Sequence, residues 1–168
     1  KFKQSILITS LIFIVVLNLT VSAFIYNYNT VYRDAPLNKL TASFSSPKLQ
    51  GIKSTPERVY QLEELLDYLS TRVKRGEYLL AYPHLPLIYF LTQSRPSFGY
   101  AWIHGSFDPF FLHDKLLAKM IREKREPKYV VHLIVPSKDD DPVLNNYLHT
   151  NYYLDKTIIP FEIWSKIK

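Results

Sequence analysis

The chain contains no cysteine, one methionine and only four glycines among its 168 residues. Without cysteine, it forms neither disulfides nor thiolate metal sites. The glycine-rich G-x-G-x-x-G fingerprint and the phosphate-binding loop are also missing, so the sequence does not indicate a nucleotide site. Eleven prolines outnumber the glycines, and they punctuate the connections in place of flexible linkers. We therefore expect this chain to bind no cofactor.

Positive charge is in excess but is not concentrated in one place. The net charge is +6, and the densest basic cluster, Arg122–Arg125, includes a glutamate and ends a predicted helix. Cations there complement the helix dipole, which favours a solvated helix end. Nucleic-acid-binding proteins instead gather basic residues on one face, often between exposed aromatic residues. The sequence therefore predicts no nucleic-acid partner, and attraction to anionic lipid headgroups is an alternative role for the cluster.

A long apolar run occupies the beginning of the chain. Residues 5–26 carry no charge and follow Lys1 and Lys3. As a helix, about 22 residues span about 33 Å, enough to cross a hydrocarbon core about 30 Å thick. The positive-inside rule then places the two lysines in the cytoplasm and the following domain on the extracytoplasmic side of the cell membrane. A signal peptide cleaved after Ala23 is the alternative, and it also exports the domain.

The pattern of apolar residues predicts one N-terminal transmembrane helix followed by a small α/β sandwich with a short, mainly parallel sheet. We expect a transmembrane helix with its basic flank in 1–26, an extended connector in 27–53 and an extracytoplasmic α/β domain in 54–168. The last strand is expected to pair antiparallel. The predicted elements of the domain are helices over 56–73, 85–91, 110–124 and 142–151, strands over 77–82 and 128–135, and a terminal strand or hairpin over 157–167.

Two segments resemble one known arrangement. The first is Pro86–Thr92 (PLIYFLT), and the second combines Tyr147, Leu148, Asn151 and Tyr152 with Phe161–Trp164 (FEIW). In this order they resemble the C-terminal extracytoplasmic domain of bacterial multi-pass GT-C glycosyltransferases, of the dolichyl-phosphate-mannose-protein mannosyltransferase-like kind. The resemblance covers almost the whole chain and makes 5–26 the last membrane helix. Arg95 departs from the family pattern, because it stands one position later than the usual arginine.

The resemblance implies an accessory domain of a membrane glycosyltransferase that uses a polyprenyl-phosphate-linked sugar. The catalytic acidic residue of such enzymes lies in an early external loop, so we expect this chain to be a fragment that is inactive alone. The implied partners are the membrane, the remaining membrane domain of the transferase, and a glycan or lipid-linked sugar. The alternative is a single-pass membrane-anchored envelope module that binds or supports structure without catalysis.

The loop 94–108 is the best candidate for ligand or interface contact, because it is long and rich in aromatic residues. Loops held by a scaffold commonly carry binding residues, and packing under the loop is the alternative role. Side chains from neighbouring elements could line the same region. The candidate contacts are Tyr89, Arg95, Phe98, Tyr100, Trp102, His104, Tyr147, His149 and Tyr152.

Neither catalysis nor metal binding is predicted from the histidines and aspartates. No two of the five histidines have the i, i+4 spacing of a helical metal site. His132 lies in an apolar strand and is interpreted as a hydrogen-bonded core residue. Asp141 precedes Pro142 and is interpreted as a helix cap. A hydrolase remains a third hypothesis, although no serine has the context of a nucleophile elbow.

Overall fold

The computed structural model of this protein describes residues 2–28, 35–103, 113–134 and 141–167, with side chains from residue 8 onward. The chain divides into two compact units, 1–60 and 61–168. The division into membrane helix, connector and domain stays a prediction.

The first unit begins with a long apolar helix, α1 (Phe2–Tyr28). Its segment Ile8–Tyr28 has a mean hydropathy of 2.4 and is long and apolar enough to cross a membrane. Polar side chains within the helix bond to its own backbone: Asn18 Nδ2 donates to the Ile14 carbonyl at 2.9 Å, and Thr20 Oγ1 to the Val16 carbonyl at 2.8 Å. Such pairing suits hydrocarbon, where no water replaces a missing partner. The side of the membrane on which the rest lies stays a prediction.

Short elements follow α1 in the first unit. Two 3-10 turns, Leu37–Lys39 and Pro47–Leu49, alternate with the two-residue strands β1 (Ala42–Ser43) and β2 (Lys53–Ser54), which pair antiparallel. Helix α2 (Pro56–Ser70) begins after Thr55, with proline at its first position as predicted. The Thr55 hydroxyl accepts the Arg58 N–H at 3.4 Å, which satisfies one of the donors at the start of the helix.

Five strands in the second unit form one mixed sheet in the order β4-β3-β5-β7-β6. Their bounds are β3 (Tyr78–Tyr82), β4 (Arg95–Pro96), β5 (Tyr129–Leu133), β6 (Tyr152–Ile158) and β7 (Phe161–Lys166). Strand β3 pairs parallel with β4 and β5, whereas β7 pairs antiparallel with β5 and β6. The predicted α/β fold is confirmed. The sheet is mixed rather than mainly parallel, because the last two strands form a hairpin, and hairpin strands are antiparallel.

Helices cover both faces of this sheet, so the unit is a three-layer sandwich. One face packs against α2 and α3 (Pro86–Thr92), and the other against α4 (His113–Arg122) and α5 (Pro142–Asn151). Successive side chains of a strand point to opposite faces, so β3 and β5 serve two cores. The α2/α3 face carries Leu79, Ala81, Val131 and Ile163; the α4/α5 face carries Leu80, Tyr82, Val130 and Trp164.

The sheet has a carboxyl edge and an amino edge, named after the direction of the parallel strands β3 and β5. The carboxyl edge is where β3 and β5 end and β7 begins, next to the N-termini of α4 and α5. The amino edge is the opposite one, where β3 and β5 begin and β7 ends. Their positions follow from the parallel pairing of β3 with β5 and the antiparallel pairing of β5 with β7.

Candidate functional site

Three polar side chains stand side by side at the carboxyl edge. Tyr82 is the register partner of His132, and His132 is the register partner of Glu162. They belong to three adjacent strands and share the α4/α5 face. In open α/β sheets, ligands commonly bind outside the carboxyl ends of the parallel strands. This edge is therefore the first place to examine for function.

A network of hydrogen bonds and ring contacts holds these side chains. His132 Nδ1 lies 3.1 Å from Glu162 Oε2, and Trp164 Nε1 donates to the same oxygen at 3.3 Å. The His132 ring lies 5.0 Å from the Tyr82 ring, and His149 packs edge-on against Trp164 at 4.8 Å. His132 is only 8% exposed. The interpretation of His132 as a hydrogen-bonded core residue is confirmed, since its ring is buried in the sandwich.

A second histidine–carboxylate pair lies at the same edge. His113 Nδ1, at the start of α4, contacts Asp141 Oδ2, and both side chains are buried. The other oxygen of Asp141 accepts the N–H groups of Val143 at 2.8 Å and Leu144 at 3.0 Å. The interpretation of Asp141 as the cap of α5 is thus confirmed. The pair ties the N-termini of the two helices together.

The pKa of Asp141 reflects two opposing effects. Burial raises it, because a carboxylate is poorly solvated in the interior. The hydrogen bonds from His113 and from the N–H groups of Leu144 and Val143 stabilise the charged form and outweigh burial. The pKa is lowered as a result, and Asp141 stays ionised in the folded state. This is the behaviour of a structural carboxylate that caps a helix.

The first part of the candidate loop presents two aromatic rings to solvent. Phe98 and Ile103 are 2% and 1% exposed, and between them Tyr100 and Trp102 are 49% and 52% exposed. The Ile103 carbonyl accepts the His84 N–H at 2.9 Å. The His84 ring packs edge-on against Trp102, with ring centroids 6.2 Å apart. Buried anchors on both sides thus fix the exposed rings, while Phe98 itself packs in the core. His104 lies outside the described residues.

The Tyr89 hydroxyl bonds to the backbone of strand β3. Its hydroxyl accepts the Ala81 N–H at 2.8 Å and lies 3.2 Å from the Ala81 carbonyl, to which it donates. Strand β4 pairs only with Tyr78 and Leu79, so this hydroxyl satisfies β3 where β4 has ended. Burial raises the pKa of Tyr89, which keeps the phenol protonated as a donor. Tyr89 therefore serves the fold at this position.

The remaining candidates lie away from the exposed rings. Arg95 is an exposed residue at the start of β4, where its N–H donates to the Glu77 carbonyl at 2.8 Å. The Tyr147 hydroxyl donates to Glu126 Oε1 at 3.2 Å, and the Tyr152 hydroxyl to the Pro127 carbonyl at 2.8 Å. These contacts precede β5 and belong to the amino edge. The structure therefore does not bring Tyr147 and Tyr152 together with Trp102.

Sequence reasoning missed the partners of His132. Glu162 and Trp164 stand two residues apart in β7, so they share one face. Their alternation in the sequence FEIW was a signal for that face. Their place beside His132 depended on the pairing of β5 with β7, which no local pattern specifies.

No known family model matches the chain, and neither a curated protein nor a solved structure is similar to it. The function is therefore argued from the geometry. Across 8–28, 35–103, 113–134 and 141–167, no three His, Asp or Glu side chains gather in a way that would hold a metal ion. The carboxyl edge carries two buried histidines, each paired with a carboxylate, and two exposed aromatic rings on a fixed loop.

Proposed function

We propose that this chain is a membrane-anchored accessory domain of a glycosyltransferase that uses a polyprenyl-phosphate-linked sugar. The observation that carries the proposal is the joining of a membrane-length apolar helix, Ile8–Tyr28, to a three-layer α/β unit in one chain. The segments that carry the family resemblance are scaffold elements: PLIYFLT is helix α3, and FEIW lies in β7. Because both segments form structural elements, they support a domain whose role is structural.

An accessory role agrees with the chemistry of the carboxyl edge. His132 and His113 are buried with carboxylate partners, so neither ring is open to a substrate. A general base must come within hydrogen-bond reach of the proton it removes. In the proposal, the catalytic acid belongs to the membrane part of the transferase. The domain lies on the extracytoplasmic side, covers the mouth of that part, and helps select the acceptor.

The exposed rings of Tyr100 and Trp102 are the proposed contact with the membrane part or its substrate. Rigid aromatic side chains make large contacts at little cost in conformational entropy, and they dominate many interfaces. Here the buried residues Phe98 and Ile103 order the loop when the protein folds, so binding does not have to order it. A contact of this kind needs no catalytic group on the domain.

The test uses the intact protein, with the complete reading frame read from the source DNA. Several further apolar spans, with an acidic residue in the first external loop, are the expected result. Transfer from a polyprenyl-phosphate-linked sugar is then measured for the wild type and for Trp102→Ala. We expect about tenfold lower transfer in the variant, the usual size of a lost hot-spot contact. Phe90→Ala is the control, because Phe90 is 60% exposed on α3 and lies outside the loop.

Two results would count against the proposal. A start codon a few residues before Lys1 would contradict the transferase and leave a single-pass envelope module. Equal transfer by Trp102→Ala and the wild type would show that Trp102 does not form the proposed contact. The side of the membrane is tested separately, by accessibility of a tag placed after residue 167 to a protease added outside intact cells.

A further inference from the structure

An open cavity of about 370 Å³ lies at the amino edge of the sheet, far from the exposed rings of the loop. Its floor comes from three adjacent strands: Tyr129 is the register partner of Ser165, and Ser165 is the register partner of Tyr153. The rim is formed by Lys128, Lys166 and Ile167. The volume falls within the range of about 300–1,000 Å³ that is common for small-molecule sites.

The polar group at the floor is oriented by a neighbouring carboxylate. The Ser165 hydroxyl donates to Asp155 Oδ2 at 2.8 Å, and the Tyr68 hydroxyl of α2 donates to the same oxygen at 2.5 Å. Asp155 stands at a register shift in β6, between Leu154 and Lys156, which turns it toward these partners. The hydrogen bond from Tyr68 is the main reason that the pKa of Asp155 is lowered. The floor is therefore fixed before any ligand arrives.

The charges around the cavity are already compensated. Lys128 Nζ lies 3.0 Å from Glu77 Oε1, and Lys166 Nζ lies 3.1 Å from Glu126 Oε1. An anionic ligand would have to compete with these carboxylates for both lysines. A cationic ligand would meet two ammonium groups at the rim. The surroundings therefore favour an uncharged ligand.

The walls combine apolar surface with hydroxyl groups. The Tyr153 ring is 53% exposed, and Ile167 is 52% exposed, so both present apolar surface to the opening. Tyr129 and Tyr153 add hydroxyls that can donate and accept a hydrogen bond, and the Ser165 hydroxyl, which donates to Asp155, can still accept one. A pyranose ring has the complementary chemistry, with a C–H face that stacks on an aromatic ring and hydroxyls around its perimeter.

We propose that this cavity binds a neutral saccharide, with Tyr153 as the stacking platform and Ser165 as a hydrogen-bonding group at the floor. The proposal does not rest on the transferase function, because saccharide binding here requires no transfer reaction and no membrane part. The site lies at the edge opposite the loop that carries Trp102, so the two contacts can be removed one at a time.

The experiment measures saturation transfer by NMR from the full chain to simple glycosides. The chain is held in a polyoxyethylene-ether detergent, since sugar-headed detergents would compete for the cavity. The probes are methyl α-mannopyranoside, methyl α-glucopyranoside and, as a charged analogue of the latter, methyl α-glucuronide. We expect transfer to at least one neutral glycoside, with weaker transfer to the glucuronide.

Three variants locate the binding. Tyr153→Ala should weaken the affinity about tenfold, as expected for the loss of a stacking ring and its buried area. Tyr153→Phe should retain most of the affinity, because the ring remains. Phe90→Ala, which removes an equally exposed ring from α3, should leave the affinity unchanged. A blue-shifted contribution from the buried Trp164, above the emission of the exposed Trp102, verifies that each variant is folded.

The proposal is overturned by any of three results: no transfer to either neutral glycoside, unchanged affinity in Tyr153→Ala, or tighter binding of the glucuronide than of the glucoside. A protein that binds glycosides here but shows no sugar transfer in its intact form would contradict the proposed function alone. An intact transferase whose cavity binds no glycoside would contradict this inference alone.

Discussion

At the carboxyl edge of the sheet, the side chains of the His113–Asp141 contact are 5% and 6% exposed, whereas at the amino edge those of the Lys128–Glu77 ion pair are 74% and 28% exposed. Polar side chains that are buried together depend on each other, since removing one partner leaves the other buried without a hydrogen-bond partner. Exposed pairs are solvated with or without each other. Histidine–carboxylate pairs at the carboxyl edge therefore stabilise the fold, whereas the exposed ion pair at the amino edge can be altered at little cost in stability.

The largest effect is expected from Asp141→Ala. The substitution removes the cap of α5 and leaves the buried His113 without its carboxylate partner, so we expect a loss of about 2–5 kcal/mol in the free energy of unfolding. Denaturant unfolding of the full chain in detergent, followed by tryptophan emission, measures it. Asp114→Ala is the control, because Asp114 is exposed in the first turn of α4 and should cost about 0.3–1 kcal/mol. Similar losses in both variants would contradict the comparison.

The stability of the wild type and of Asp141→Ala should also depend differently on pH. The pKa of Asp141 is lowered by folding, so its contribution to stability is complete above the unfolded value of about 3.9 and is lost as the pH falls through the folded value. The wild type should therefore lose stability below about pH 4 more steeply than Asp141→Ala. Identical pH profiles for the two proteins would mean that the carboxylate is not selectively stabilised in the folded state.

The second effect concerns Glu162, which accepts hydrogen bonds from both His132 and Trp164. Glu162→Ala leaves two donors without this acceptor, and we expect a loss of about 1–3 kcal/mol in the free energy of unfolding. Glu162→Gln is the matched control, because its amide oxygen can accept both bonds. Recovery of most of the stability in Glu162→Gln would assign the effect to hydrogen bonding. An equal loss in both variants would assign it to charge.

The sequence was sufficient where structure depends on local patterns. A helix that begins at Pro56, the cap Asp141 and a strand over 128–135 were all predicted; α2 begins at Pro56, Asp141 caps α5, and β5 spans Tyr129–Leu133. Each depends on residues a few positions apart. Tyr100 and Trp102 of the candidate loop are exposed, and their role in a contact stays a prediction.

The sequence was insufficient where structure depends on distant pairing. A terminal strand or hairpin was predicted over 157–167, but the hairpin already begins at Tyr152 with β6, and its pairing with β7 makes the sheet mixed. His113 and Asp141 are 28 residues apart, and His132 and Glu162 are 30 apart. Their contacts follow from the order of the strands and their register, which side-chain periodicity does not fix. The cavity at the amino edge was missed for the same reason.

A smaller effect is expected at the amino edge from Tyr68→Phe. The variant loses one hydrogen bond to the exposed carboxylate of Asp155, so we expect a cost of about 0.5–1.5 kcal/mol in the free energy of unfolding. Burial and the bond to Asp155 raise the pKa of Tyr68 to about 12. An ultraviolet difference titration of the wild type against Tyr68→Phe should therefore show one tyrosine ionising near pH 12. Ionisation of that tyrosine near pH 10 would contradict the bond.

The raised pKa of Tyr68 also determines how the stability changes at alkaline pH. The unfolded tyrosine ionises near pH 10, whereas the folded one stays protonated up to about pH 12, so its stabilising contribution is lost as the pH rises through this interval. Tyr60→Phe, which removes a hydroxyl from a residue that is 67% exposed, is the control for general effects of the substitution. It should leave the alkaline profile unchanged.

The smallest effect is expected from Lys128→Met, which removes an ammonium group that is 74% exposed in its side chain. Its partner Glu77 keeps the hydrogen bond from the Lys74 N–H at 2.8 Å, so its carboxylate stays anchored without the lysine. We therefore expect a change of about 0–1 kcal/mol in the free energy of unfolding, which added salt should reduce further by screening. The decisive comparison is with Glu162→Ala, measured in the same detergent and at two ionic strengths. If Lys128→Met costs as much as Glu162→Ala, the amino edge is held by its charges, and the contrast between the two edges is wrong.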